Sequence, residues 1–118
     1  FDEAAIPRLV NSGKTVFVDV TADWCITCQV NKSFVLDRGK VAKRLHANNV
    51  VAMQADWTRP DETVSIYLAR FGRYGIPFDV VYGPRTPAGI ALPELLTEEA
   101  VLDALAAAGN GVSVLPRD

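Results

Sequence analysis

The sequence predicts an α/β domain in which a mixed central sheet is covered by helices on both faces. Three observations carry this. Apolar, β-branched runs of strand length alternate with stretches whose apolar residues recur at helical spacing. The first two strand candidates are separated by a helical stretch, the pattern of a right-handed parallel unit. The last two are joined by a tight turn, which pairs them antiparallel. At 118 residues the chain suits one domain, 1–118, since a second independent core would be too small to hold itself together.

Each element has its own signature. Ile6, Leu9 and Val10 fall at helical spacing within Ala4 to Val10, Pro7 is tolerable in the first turn, and Asn11-Ser12-Gly13 closes the helix. Thr15 to Val20 (TVFVDV) reads as a buried strand. After the turn Thr21-Ala22-Asp23-Trp24, the residues Ile26, Val30, Phe34 and Val35 fit one face of a helix that starts at Cys25. That helix weakens near Leu36-Asp37, where Asp37 is expected to cap a second segment through Val41, Leu45 and His46. Val50 to Ala55 gives the second strand. Asp61 is placed to cap a helix carrying Val64, Ile66, Tyr67, Leu68 and Phe71, which Gly72 and Gly75 end. Phe78 to Tyr82 is the third strand, and the turn Gly83 to Pro87 leads to a short one around Ile90 to Leu92. Thr97-Glu98-Glu99 opens a last helix with the stripe Val101, Leu102 and Leu105, ended by Gly109 before an irregular tail.

Composition narrows the function classes. The formal charge of −2 gives no basic surface of the kind phosphate binding needs, so no nucleic-acid partner is expected. No apolar run approaches the roughly 20 residues of a membrane span. No signal-peptide pattern opens the chain. It begins with Phe1, and we expect a domain excised from a larger protein.

The chemistry concentrates in Trp24-Cys25-Ile26-Thr27-Cys28, set between a strand and a helix. A cysteine in the first turn of a helix faces unpaired N–H groups and the positive end of the macrodipole, both of which favour thiolate. Cys25 is therefore expected to be the nucleophile. Cys28, one turn later and deeper, is placed to attack a mixed disulfide on Cys25 and release the partner. Other readings are a structural disulfide, half of a metal site, or inert thiols. A bridge across so short a loop restricts the unfolded chain little. Zinc takes about four ligands, and beyond the cysteines the only soft ligand is His46. No metal and no cofactor beyond the cysteine pair is expected.

With these residues in view, the chain resembles a known family. Val16-Phe17-Val18-Asp19, Ala22-Asp23-Trp24-Cys25 and Cys28, then Met53-Gln54-Ala55-Asp56 with Thr58, and Gly75-Ile76-Pro77, resemble the thioredoxin-fold C-terminal periplasmic domain of DsbD-type transmembrane thiol:disulfide interchange proteins. Phe71 to Phe78 with Val80 to Pro84 is similar to the ScsB-like branch. The resemblance spans roughly residues 14 to 105. It implies an electron relay in which a transmembrane domain of the same protein is the donor. The acceptor would be an N-terminal periplasmic domain or another periplasmic disulfide protein. It implies a periplasmic location tethered to the inner membrane, and we expect the isolated domain to be monomeric. Cys25 and Cys28 correspond to the family's redox pair.

The resemblance also implies that Asp19 is a buried acid beneath the pair. The residues agree: Asp19 lies in an apolar strand, where desolvation raises a carboxyl's proton affinity and an ionised form disfavours a nearby thiolate. It could relay the proton that Cys28 must lose, or merely cap a turn. Ile76-Pro77 matches the cis proline of thioredoxin folds, a geometry that costs only about 0.5–1 kcal/mol for X–Pro. Such a bond leaves the Ile76 backbone able to pair with an extended substrate segment. Trp24 is expected to cover one side of the site. Asp23 reads as a solvated turn residue, His46 as a structural or surface histidine, and Trp57 to Asp61 as an exposed loop that could contact partners. One departure is informative: where the better-known domains carry a second acid one turn after the buried cysteine, this chain has Lys32. Two other functions remain open at this point: a free-standing thioredoxin-like reductase or oxidase, and a binding module with spectator cysteines.

Overall fold

The computed structural model describes residues 1–109. Its helices are α1 (Ala5–Asn11), α2 (Ile26–Asn31), α3 (Gly39–Leu45), α4 (Glu62–Arg70) and α5 (Glu98–Ala108). Its strands are β1 (Thr15–Thr21), β2 (Val50–Asp56), β3 (Phe78–Gly83) and β4 (Thr86–Ala91). The sheet order is β2-β1-β3-β4, with β1 parallel to β2 and β3 antiparallel to both β1 and β4. This is the mixed sheet the sequence predicts. The irregular tail expected after Gly109 lies outside the described residues.

Alternation along β1 sends neighbouring side chains to opposite faces. Val16, Val18 and Val20 join Ile6 and Val10 of α1, Tyr67 and Leu68 of α4, and Phe78, Val80 and Tyr82 of β3. Phe17 and Val81 face the other way, against Leu36, Val41 of α3, and Val101, Ala104 and Leu105 of α5. Caps close α4 and α5 where the residue types foretold. The Asp61 carboxylate accepts from Val64 N at 3.2 Å, and Thr97 Oγ1 accepts from Ala100 N at 3.1 Å.

Three expectations are corrected. Of the stripe Ile26, Val30, Phe34 and Val35, the first three point outward, with Ile26 79% and Phe34 65% exposed, and only Val35 packs against the core. The inward face carries Cys28 and Asn31. The Asn31 amide donates to Glu94 O at 2.8 Å and accepts from Leu96 N at 3.0 Å, so a polar side chain holds the segment before α5. The helix then widens into a π turn over Lys32–Leu36, which inserts a residue and turns Leu36 into the core. Asp37 does not cap α3, whose N-cap is Arg38 with no side-chain bond; its carboxylate pairs instead with Lys32 at 3.1 Å. Finally, β4 starts directly after Pro84-Arg85 and includes Pro87. A proline is admissible there because β4 is an edge strand, and its pairing with β3 is irregular between Val81 and Gly83.

The end of α5 closes on β3 at Gly83, where an added Cβ would overlap the carbonyl of Ala108. At Gly75 the same atom would meet nothing within 4 Å. Gly83→Ala is therefore expected to destabilise the domain by about 1–3 kcal/mol, the usual cost of overpacking. Gly75→Ala should leave stability equal or slightly higher. Urea unfolding of the two variants side by side checks this ordering.

Candidate active site

β1 delivers the chain to the site and a single tight turn starts the helix. Cys25 N donates to Ala22 O at 3.1 Å, and Cys25 then occupies the N-cap of α2 with its sulfur accepting from Cys28 N at 3.2 Å. Cys25 and Cys28 are joined as a disulfide, with their Cα atoms 5.2 Å apart. Ala22 and Ile76 pack against the two sulfur-bearing residues, and the Ile76–Pro77 bond is cis. Exposure does not separate the cysteines, at 6% for Cys25 and 4% for Cys28. Backbone placement does. Cys25 alone sits at the helix start and receives an N–H donor, an arrangement that stabilises a thiolate there once the bridge is reduced.

Trp24 is 59% exposed and its indole N–H donates to Thr58 O at 3.0 Å. Thr58 Oγ1 also accepts from Asp23 N at 2.9 Å, and Asp56 accepts from both Thr58 N and Thr58 Oγ1. Those two bonds hold the Asp56 carboxyl below its ordinary proton affinity. The loop after β2 thus braces the residue before the nucleophile, with Thr58 as the pivot. Thr58 was legible as part of a family pattern and of an exposed loop but not as this pivot, because Asp23 and Trp24 lie more than thirty residues away.

The acids beneath the site are arranged differently from the simple expectation of one buried carboxylate at Asp19. Asp19 is half-buried and lines a cavity of about 270 Å³ together with Lys32, Leu36, Asp37, His46 and Gln54. Lys32 and Asp37 are more than half exposed, so this cavity reaches solvent. The fully buried carboxylate is Asp79, 1% exposed, which pairs directly across the β1–β3 ladder with Asp19. Among the described residues no N–H or O–H group donates to either Asp79 oxygen. Burial, followed by the hydrogen bond and charge of Asp19, pushes the Asp79 carboxyl up to about 10. The signal that singled out Asp19, a lone acid in an apolar strand, was present for Asp79 too, within Phe78-Asp79-Val80-Val81.

The site therefore brings together Cys25, Cys28 and Ile76 and anchors Trp24, the residue before Cys25, while Asp19 and Lys32 share a cavity that neither cysteine lines. Two sulfurs in bonding contact, one of them at a helix start, form a group that can be reduced to a dithiol and reoxidised. Among the described residues no cluster of His, Cys, Asp and Glu is disposed to hold a metal ion, and no helix is long and apolar enough to cross a membrane.

Comparison with known proteins is consistent with this geometry. The thiol:disulfide interchange protein DsbD of Yersinia pestis is 32% identical over 65 residues, which cover 55% of this chain and 11% of that protein. DsbD 1 of Pseudomonas aeruginosa is 32% identical over 82 residues, 70% of this chain and 14% of that protein. The chain thus matches only about a seventh or less of the length of these curated relatives. The oxidised C-terminal domain of Neisseria meningitidis DsbD superposes with a TM-score of 0.68 at 21% identity, covering 86% of this chain and 87% of that one. A thioredoxin variant of Halobacterium salinarum superposes at 0.63 and 16% identity, covering 92% and 87%. These likenesses give the fold. A thioredoxin-like family model matches residues 2–84, and with the cysteine pair, the cis proline and the sheet order already in place, the chain belongs to the thioredoxin-like family.

Proposed function

We propose that this domain is a thiol:disulfide oxidoreductase that relays electron pairs through Cys25 and Cys28. The observation that carries the reading is the Cys25–Cys28 disulfide seated at the start of α2, with the Cys28 N–H directed at the Cys25 sulfur. In the reduced domain, the Cys25 thiolate attacks one sulfur of a partner disulfide. The partner S–S bond breaks, a Cys25–partner bond forms, and the departing partner thiolate takes up a proton. Cys28 then loses its proton and attacks the Cys25 sulfur, which expels the partner's second sulfur and restores the Cys25–Cys28 bridge. One electron pair has moved to the partner. A donor dithiol reverses the sequence and recharges the domain.

In this reading Asp19, which lines the cavity shared with Lys32, takes the proton that Cys28 must lose. Trp24 and the Ile76–Pro77 segment frame the site, with the Ile76 backbone as the docking edge for an extended partner segment. The names of the relatives support a larger setting, in which this is the C-terminal domain of a DsbD-type protein. In that setting it is periplasmic and tethered to the inner membrane. A transmembrane redox domain would supply electrons, and an N-terminal periplasmic domain or another periplasmic disulfide protein would accept them. The resemblance of Phe71 to Phe78 with Val80 to Pro84 supports the ScsB-like branch of that group. The cysteine pair is its own redox group and calls for no cofactor.

Reduction of insulin disulfides with a dithiol donor separates this reading from a binding module with spectator cysteines. The wild-type domain is expected to accelerate the reaction and Cys25→Ser to abolish the acceleration; equal rates would reject the function. In the reduced protein, substoichiometric iodoacetamide should label Cys25, and peptide mapping that finds the adduct mainly on Cys28 would reverse the assigned roles.

Electrostatics around Cys25 give a further expectation. Asp19→Asn removes negative charge from beneath the site and should lower the Cys25 pKa, followed by thiolate absorbance. Lys32→Glu should raise it by less, because Lys32 is solvent-exposed and already paired with Asp37. The Debye length falls from about 10 Å at 0.1 M salt to about 3 Å at 1 M. The Lys32→Glu effect should therefore fade at high salt while that of Asp19→Asn persists.

A further inference from the structure

The carboxyl of Asp79 has no place in the exchange steps above, yet it is the most deeply buried charged-type side chain among the described residues. Its two oxygens find no N–H or O–H donor among the described residues. Across the ladder its partner is Asp19, so the polar group facing it is another carboxyl. Two ionised carboxylates at that separation repel each other, and neither can donate. With one proton between them, one carboxyl donates to the other and both the repulsion and the missing hydrogen bond are removed.

The surroundings decide which of the two holds the proton. Asp19 lines the solvent-reaching cavity, where Lys32, Asp37 and His46 also lie and where a charge is hydrated. Asp79 is sealed in. α5 covers that face with Val101, Ala104, Leu105 and Ala108, and its acids Glu98, Glu99 and Asp103 point to solvent. The segment before α5 contributes Leu92 and Leu96, and β4 contributes Ile90. Among the described residues no basic side chain forms an ion pair with Asp79; the two ion pairs present join Lys32 to Asp37 and Arg70 to Glu3. Charge is therefore cheaper on Asp19, and the proton belongs on Asp79.

We propose that Asp79 is a positioning residue, a neutral carboxylic acid that donates its proton in a hydrogen bond to Asp19, so that the pair presents one negative charge, on the cavity side, beneath the cysteine-bearing helix. Asp79 modulates Asp19 without adding charge, and Lys32 shares the cavity with that single charge. Where it concerns the cysteines, the inference rests on the proposed disulfide exchange; the protonation of Asp79 does not.

The sign of the linkage follows from the direction of the shift. An unfolded aspartate releases its proton near pH 3.9, whereas folded Asp79 keeps it up to about 10. The folded state then binds one more proton throughout that window. Its stability from this group is greatest below the unfolded value and is lost as pH rises toward the folded one. One proton of difference multiplies the unfolding constant by about ten per pH unit.

The test is urea unfolding of wild type and Asp79→Asn at pH 5, 6, 7 and 8. Asn keeps a neutral donor toward Asp19. The ratio of the wild-type to the variant unfolding constant should rise by about tenfold per pH unit. A ratio independent of pH would mean that Asp79 ionises as in the unfolded chain, and would overturn the proposal. Should the variant fail to fold, infrared spectroscopy of the wild-type protein decides. A carbonyl band of a protonated carboxylic acid should persist at pH 7 and vanish at strongly alkaline pH; absence of that band at pH 7 overturns the proposal. On the reduced protein, Asp79→Asn should move the Cys25 thiolate titration by less than Asp19→Asn does. An equal or larger shift would place the charge on Asp79 and reject the assignment. Insulin reduction measured alongside keeps the two readings apart, since Asp79 can fail these tests while the exchange activity stands, and the reverse.

Discussion

The arrangement of this domain depends on the position of β1 between a parallel neighbour and an antiparallel one. Because side chains alternate along a strand, the register that buries Val16, Val18 and Val20 on one face also fixes Phe17 and Asp19 on the other. The same register sets Asp79 opposite Asp19 and the Ile76–Pro77 segment beside the end of β1. A slip of one residue would put Asp19 into the apolar layer under α1 and α4. The central strand therefore specifies the core and the site together, and neither can be altered without the other.

From that strand the site is assembled by short-range geometry. One turn separates Thr21 from the helix start, so the Cys25 sulfur lies within reach of the Cys28 N–H. The loop after β2 then pins this turn through Thr58, whose contacts reach both Asp23 and Trp24. On the far side of α2, Asn31 ties the helix to the segment before α5 with two hydrogen bonds to backbone groups. The helix that carries the cysteines is thereby held at both ends by polar contacts, while its outer face is left apolar and exposed at Ile26 and Phe34. The reactive group sits on a rigid support, which suits a bond that must break and re-form in one geometry.

What the sequence revealed and what it concealed divide along a physical line. Strand cores, the Asp61 and Thr97 caps and the cysteine motif are written in local residue types, and all could be read. So could the mixed sheet, since the helix between β1 and β2 and the tight turn between β3 and β4 dictate the pairing sense. The outward turn of Ile26, Val30 and Phe34 could not be read, because helical periodicity identifies a face without saying whether it is covered. The Asn31 tether depends on contacts with a segment more than sixty residues away, and the π turn at Lys32–Leu36 has no signature in its local residue types. Asp79 is a different case. It carried the same local signal as Asp19, and what was lacking was the register that sets the two carboxyls side by side. Lys32, read as a lone departure from a family pattern, gains meaning only once its cavity is shared with that pair.

The central claim is that Cys25 and Cys28 exchange with a partner disulfide in sequence, Cys25 first. Trapping on the Cys28→Ser variant tests it most directly. The reduced variant is mixed with a disulfide-containing protein substrate, quenched with acid, and the covalent adducts are mapped by mass spectrometry. The account predicts a mixed disulfide on Cys25 that accumulates because the resolving sulfur is gone and that dithiothreitol releases. Cys25→Ser should yield no comparable adduct. Failure of the Cys28→Ser variant to form any mixed disulfide, or equal trapping by Cys25→Ser through Cys28, would contradict it.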